Sequence, residues 1–204
     1  MKRMEVALMA GNKKNKVKFN IKNIHIAKRI VTDGSPTTYD TPFALPGGVS
    51  ISLEPQGEIS KFYADGVVYY QSSSNAGYEG DLEVAKIIDQ FRTEILKEVL
   101  DDNSVLFEEV DAVSEAFALG FDIDGDQRTE RFWFFNCVAT RSTEESSTTE
   151  DTKEPTTETV TISAAPDENG YVRARTTADT PDNVYADWYK SVYTKADTQE
   201  ESEE

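Results

Sequence analysis

The apolar residues of this chain fall mostly in step with a two-residue period, which predicts strands. In Lys16–Ala27, Val17, Phe19 and Ile21 lie on one side, against Lys16, Lys18, Asn20 and Lys22 on the other. The alternation then slips by one, to Ile24 and Ile26, so a bulge is expected near Asn23. Val49, Ile51 and Leu53 alternate with Ser50, Ser52 and Glu54 between the turn residues Pro46-Gly47-Gly48 and Glu54-Pro55-Gln56-Gly57. Tyr78, Gly80, Leu82 and Val84 alternate with Glu79, Asp81 and Glu83, giving one apolar and one acidic face. Phe117–Ile123 and Arg131–Ala139 flank Asp124-Gly125-Asp126-Gln127 and read as a hairpin. Its second arm, with Phe132-Trp133-Phe134-Phe135, is apolar on both faces, as a central or covered strand is. Thr159–Ala164 and Tyr171–Arg175, joined by a turn at Asp167–Gly170, complete the strands.

Helical spacing appears twice. Asp89 is placed to cap a helix carrying Phe91, Ile95, Leu96 and Val99 on one face. Asp182 is placed to cap a shorter one in which Val184, Trp188 and Val192 share a face. Residues 55–77 follow neither period. Gly66 and Ser72–Asn75 oppose regular structure there, yet Phe62, Tyr63, Val67, Val68, Tyr69 and Tyr70 are too apolar for a solvated loop. A long aromatic-bearing loop that forms a contact surface is expected. Phe62, Tyr63, Tyr69 and Tyr70 are its candidate inter-subunit contacts, because aromatics are enriched in interface cores. The plain alternative is that they pack on their own domain.

The expected organisation is a flexible extension over residues 1–12, one β domain over 13–193, and an acidic disordered tail over 194–204. The Thr/Ser/Glu-rich stretch 142–158 reads as a mobile loop inside that domain. The 204 residues suit a single domain with tails. Net charge is −17, which argues against tight binding to nucleic-acid phosphates or anionic membranes. The first thirty residues hold nine bases against Glu5 alone, and the last eight hold five acids and no base. Opposite ends of neighbouring copies can attract each other, or both ends can simply be solvated. One cysteine, Cys137, allows no internal disulfide. No apolar run reaches the roughly 18 residues of a membrane helix, and Val6–Ala10 is too short for a signal peptide's apolar region. A soluble protein made in the cytoplasm, with no membrane insertion, is expected.

Candidate chemistry is sparse. His25 is the one histidine, and neither a Gly-x-Ser-x-Gly elbow nor a Gly-rich phosphate loop is present. Cys137, in the aromatic strand, reads as a buried inert thiol. Asp122, Asp124 and Asp126 begin like a calcium loop, but Gln127 and Trp133 stand where glycine and the bidentate glutamate are needed. They read as a hairpin turn. Glu79, Asp81 and Glu83 lie about 6.8 Å apart along one strand face. They form either a solvated face or an acidic, lumen-facing patch that keeps phosphates away. A glycosidase pair has no second sugar-binding signature to support it. No catalytic residue, metal site or cofactor is expected.

The order and spacing of several pieces resemble the major tail (tail tube) protein family of long-tailed siphophages. These pieces are Lys16-Val-Lys-Phe-Asn-Ile-Lys-Asn-Ile, Pro46-Gly-Gly-Val-Ser-Ile-Ser-Leu-Glu-Pro, Phe62-Tyr-Ala-Asp-Gly and Tyr78-Glu-Gly-Asp-Leu-Glu-Val-Ala, then Glu154-Pro-Thr-Thr-Glu-Thr-Val-Thr-Ile and Val184-Tyr-Ala-Asp-Trp-Tyr-Lys-Ser-Val-Tyr. They span roughly Lys16 to Tyr193, and the two ends fall outside the pattern. The resemblance implies a mainly β fold, a β-sandwich or barrel with one packed helix and a short C-terminal helix. It implies six copies closing into a ring, and rings stacking into a tube that carries the genome. It further implies a virion tail protein assembled in the host cytoplasm with initiator or baseplate, tape-measure and terminator proteins. Two other readings remain open at this point. One is a non-catalytic β-sandwich adhesion or carbohydrate-binding module of a virion. The other is an enzyme using Asp122, Asp124, Glu79 or Asp81.

Overall fold

The structure, a computed structural model, describes residues 14–146, 148 and 155–195. The expected extension over 1–12 and most of the expected tail over 194–204 lie outside these residues, as do 147 and 149–154 of the expected mobile loop.

The described chain is mainly β, with antiparallel pairing throughout and two short helices. Chain order begins with β1 (Lys18–Ile30), β2 (Thr38–Tyr39), β3 (Phe43–Ala44) and β4 (Gly48–Gln56). β5 (Ile59–Ala64), β6 (Val67–Ser73) and β7 (Gly77–Val84) follow, then α1 (Asp89–Glu94). The excursion after α1 carries β8 (Val99–Leu100) and β9 (Leu106–Phe107). β10 (Phe117–Gly125), β11 (Glu130–Ala139), β12 (Glu158–Ala164), β13 (Arg173–Arg175) and α2 (Asp182–Ala186) complete the fold.

Nine strands make one sheet in the order β2-β1-β10-β11-β12-β7-β4, with β3 beside β1 and β13 beside β11. β11 shares its far edge between two partners. Phe132–Phe134 pair with β13, and Cys137–Ala139 pair with β12. Asn136, at φ 45°, breaks the ladder between them. The sheet curls so that Leu45 N–H donates to the Ile24 carbonyl and Gly48 lies against the Ile24 side chain. It does not close into a barrel.

Alternation along the strands fills the concave face with one apolar core. Ile24 and Ile26 of β1, Leu82 and Val84 of β7, and Phe117 and Leu119 of β10 meet Val160 and Ile162 of β12 there. Phe91, Ile95 and Leu96 close the core from the α1 side. β11 is apolar on both faces because it serves two cores. Phe132 and Phe134 point inward, while Trp133 and Phe135 point outward under the C-terminal segment. Gly120 sits opposite Trp133, and a Cβ there would meet the indole ring at 2.7 Å. Trp188 and Val192 cover this second cluster. The Trp133 indole N–H donates to the Trp188 carbonyl at 3.0 Å, and the Tyr185 hydroxyl donates to the Thr129 carbonyl at 3.1 Å.

Several expectations hold. The bulge near Asn23 is present, at φ 57° with a register shift between Lys22 and His25. β11 is a central strand covered on its outer face. Five details differ. Residues 55–77 are not a loop, because 59–73 form the paired strands β5 and β6. α1 is six residues long and starts after Ile88 with no side-chain cap, so Asp89 lies inside it rather than capping it. Lys97, at φ 65°, turns the chain out of helical geometry, and Val99 leaves the core for the exposed strand β8. α2 likewise begins after Pro181, not at an Asp182 cap. Val17 and Phe19 are exposed, because the core ends at Ile21, which packs on its edge.

The outer cluster depends on one indole. Trp188→Ala is expected to lower stability by about 3–5 kcal/mol, the usual cost of removing a buried aromatic. Guanidinium unfolding with an unchanged m-value measures it. A loss below about 1 kcal/mol would show that the C-terminal segment does not seal this face.

Candidate assembly surfaces

β4 and β7 form one antiparallel ribbon, with Leu82 facing Ile51 and Gly77 facing Gln56. The ribbon does not end there. Ala76 N–H donates to the Gln56 carbonyl, and Ser74 N–H to the Glu58 carbonyl, carrying the pairing across an irregular junction. β5 and β6 then continue it as a separate two-stranded sheet. Its tip is the two-residue turn Asp65-Gly66, with φ of 53° and 76°. Two successive positive φ values with glycine second are the geometry of a type I′ hairpin turn, whose twist matches the strands it joins.

The arm carries exposed apolar side chains on both faces, clustered toward its tip. Phe62 faces Tyr70 across the ladder, and the bulge before Tyr63 brings in Tyr69, whose ring meets Phe62 edge-on at 6.4 Å. On the opposite face Tyr63 pairs with Val68, and Ile59 lies on the same side by alternation. Ile59, Phe62, Tyr63, Val67, Tyr69 and Tyr70 are each 60–74% exposed. The four expected contact residues are therefore brought together, but on a hairpin and on two faces. Sequence reasoning missed Ile59 and the arm itself. The signal was Asp65-Gly66 between two β-rich runs, the strongest short-range hairpin cue.

The second surface is the outer face of β4, β7 and β12. Register aligns three rows across these strands: Ser50–Glu83–Thr159, Ser52–Asp81–Thr161 and Glu54–Glu79–Ser163. The three expected acids are thus the middle column of a face built from carboxylates and hydroxyls, with no base in these rows. The hydroxyls serve the carboxylates directly. Ser50 donates to Glu83 at 2.8 Å, Thr157 donates to its other oxygen at 2.7 Å, and Thr161 donates to Asp81 at 2.8 Å. These donors hold the Glu83 carboxyl below its ordinary value, Thr157 most strongly. Glu54 and Glu79 stand directly opposite each other, a like-charge pair that favours an exposed face.

The remaining candidates are dispersed. Asp122 is buried, accepting from the Tyr189 hydroxyl at 2.6 Å and from Asn23 at 3.3 Å. Burial pushes its carboxyl above the ordinary value, and the Tyr189 hydrogen bond opposes that rise. Asp124 pairs with Lys22 at 2.6 Å, and Asp126 accepts from the Lys16 backbone at 2.7 Å. The three carboxylates serve separate sets of partners. His25 stacks on Tyr189 at 4.2 Å. The Cys137 thiol is buried and pushed up to about 12 by desolvation. A cleft beside the β10–β11 turn includes Arg128, Glu130 and Arg175 in its lining. Arg128 is engaged there by the Ala178 and Thr180 carbonyls and by Asp182. Among the described residues, no group of three or more His, Cys, Asp or Glu side chains is arranged to hold a metal, and no helix is long and apolar enough to cross a membrane.

No protein-family model matches the chain, and no curated protein matches it. Among solved structures, a chain of the "Cryo-EM structure of the anti-feeding prophage (AFP) baseplate, 6-fold symmetrised" is similar at 11% identity and a TM-score of 0.40. The match covers 77% of this chain and 94% of that one. At that degree of superposition the likeness assigns no role to this protein.

Glu83 gives the acidic face a pH signature. Its folded pKa lies below the ordinary 4.5, so its contribution is present above that value and lost as pH falls through the folded pKa. Glu83→Gln is therefore expected to lower stability slightly at pH 7, where the hydrogen-bonded carboxylate is charged, with the difference from wild type vanishing in acid and stability less steeply dependent on pH below about 4.5. Urea unfolding across the acid limb checks this, and an unchanged slope would remove the Ser50 and Thr157 hydrogen bonds from the account.

Proposed function

We propose that this protein is a non-catalytic structural subunit of a phage tail tube, which closes into six-membered rings and stacks them into a conduit for DNA. The observation that carries the reading is the arm. An isolated two-stranded hairpin is marginal in water, and soluble monomers rarely expose contiguous apolar surface of this kind. A ribbon with exposed aromatic side chains on both faces is accounted for when another chain covers it.

Magnitudes favour a ring over a simple pair. Burying four aromatic side chains contributes about 6–12 kcal/mol, at about 1.5–3 each. Association costs about 4–15 kcal/mol in lost freedom, so one arm supports only a weak contact. In a closed ring each copy both gives and receives an arm, and closure reinforces every contact. The carboxylate and hydroxyl face of β4, β7 and β12 fits the lumen in this reading. It presents negative charge with no base, so DNA phosphates pass without adhering. The ordered pieces between Lys16 and Tyr193 that resemble the siphophage tail tube family support the same assignment. Its other partners are the tail initiator or baseplate, tape-measure and terminator proteins, and its location is the virion tail.

Negative-stain electron microscopy with light scattering on concentrated protein tests this. Rings or tubes of uniform width are expected. Tyr69→Ser with Tyr70→Ser is expected to weaken association at least about a hundredfold while leaving the circular dichroism spectrum unchanged. Assembly of that variant at wild-type concentrations would remove the arm as the contact. Monodisperse monomers that bind a glycan would replace the tube with an adhesion module.

A further inference from the structure

The molecule has two dissimilar ends, and they are complementary. β1 and β10 run antiparallel from Lys18 opposite Gly125 to Lys28 opposite Phe117. At about 3.3 Å per residue this separates the two ends of β1 by about 30 Å.

At the Lys28 end lies the excursion 99–113. Lys28 and Lys97 both pair with Glu115, and Glu115 N–H donates to the Ile95 carbonyl, fixing the base of the excursion to the body. In the β8–β9 hairpin the Asp101 carboxylate accepts from the backbone N–H groups of Asn103 and Val105. Beyond it, Val110 and Val113 are 88% and 81% exposed, and Phe107 and Leu100 are more than half exposed. Residues 98–115 contain seven acids and no base. Asp102, Glu109 and Asp111 have no ion pair among the described residues.

At the other end, Val17 and Phe19 are exposed within residues 14–22, which contain four lysines and no acid. Lys22 is taken by Asp124. The Lys14 and Lys16 ammonium groups have no ion pair among the described residues, and Lys18 lies 5.7 Å from the Phe132 ring centroid.

We propose that copies of this chain dock end to end, the acid-rimmed apolar segment 99–113 of one copy seating on the lysine-rimmed Val17–Phe19 patch of the next. Like ends repel, so the contact is heterologous and leaves a free end of each kind. It extends a stack without limit, rather than closing a dimer. The inference rests on reading the chain as a self-assembling subunit, but it uses a surface other than the arm.

Site-directed cross-linking of the full chain tests it. The double variant Phe19→Cys with Val110→Cys, treated with a short bis-maleimide, is expected to give a ladder of covalent oligomers. Each single variant alone gives none, and the two mixed give a dimer. The native thiol of Cys137 is buried and does not compete. Changing Lys14, Lys16 and Lys18 to Glu in the double variant lowers the ladder about tenfold. Adding Asp102, Glu109 and Asp111 changed to Lys restores it. All these positions are on the surface, and circular dichroism verifies that each variant is folded. Rings without a ladder would overturn the end contact and leave the arm-based assembly standing. Neither rings nor ladder would overturn both. Efficient dimers from Val110→Cys alone would show a like-to-like contact and contradict the proposal.

Discussion

A two-stranded ribbon with aromatic side chains on both faces cannot satisfy itself. Whichever face turned toward the body, the other would remain in water. In this protein neither turns inward. The β5–β6 arm carries Phe62, Tyr69 and Tyr70 on one side and Ile59, Tyr63 and Val68 on the other. Each strand of the ribbon is hydrogen-bonded along its inner edge only, and the type I′ turn at Asp65-Gly66 fixes its twist. What it lacks is cover.

The rest of the fold fixes where the arm starts. β7 is held in register by β12 on one side and β4 on the other, and Leu82 and Val84 anchor it in the core. That same register turns Glu79, Asp81 and Glu83 outward together, beside Ser50, Ser52 and the threonines of β12. One strand therefore supplies both the root of an apolar arm and the centre of a carboxylate face. The outer side of β11 needs separate protection, and the C-terminal segment provides it through Trp188 on Trp133. Both apolar clusters of the body are covered, and its exposed apolar surfaces include the arm and the two ends of β1.

Much of this was legible in the sequence, wherever one face of an element was buried. Leu82, Val84, Val160 and Ile162 fall inside as their alternation predicts, and the slip at Asn23 appears as a bulge. The failures have separate causes. Residues 55–77 show no alternation because both faces of the arm are exposed and each mixes apolar with polar residues, so period two has nothing to mark. Val99 matched a helical face, but a left-handed Lys97 turned the chain first. The rows of Ser and Thr beside the acidic strand depend on pairing between strands far apart in sequence, which no local period encodes.

The central claim is that the arm is completed by another copy. Amide hydrogen exchange across 59–73, compared between dilute and concentrated protein, tests it most directly. The account predicts fast exchange in dilute protein, where a lone hairpin opens freely, and strong protection at high concentration. The core strands would exchange equally slowly in both. Equal exchange of the arm at both concentrations, in protein seen to assemble, would contradict the claim.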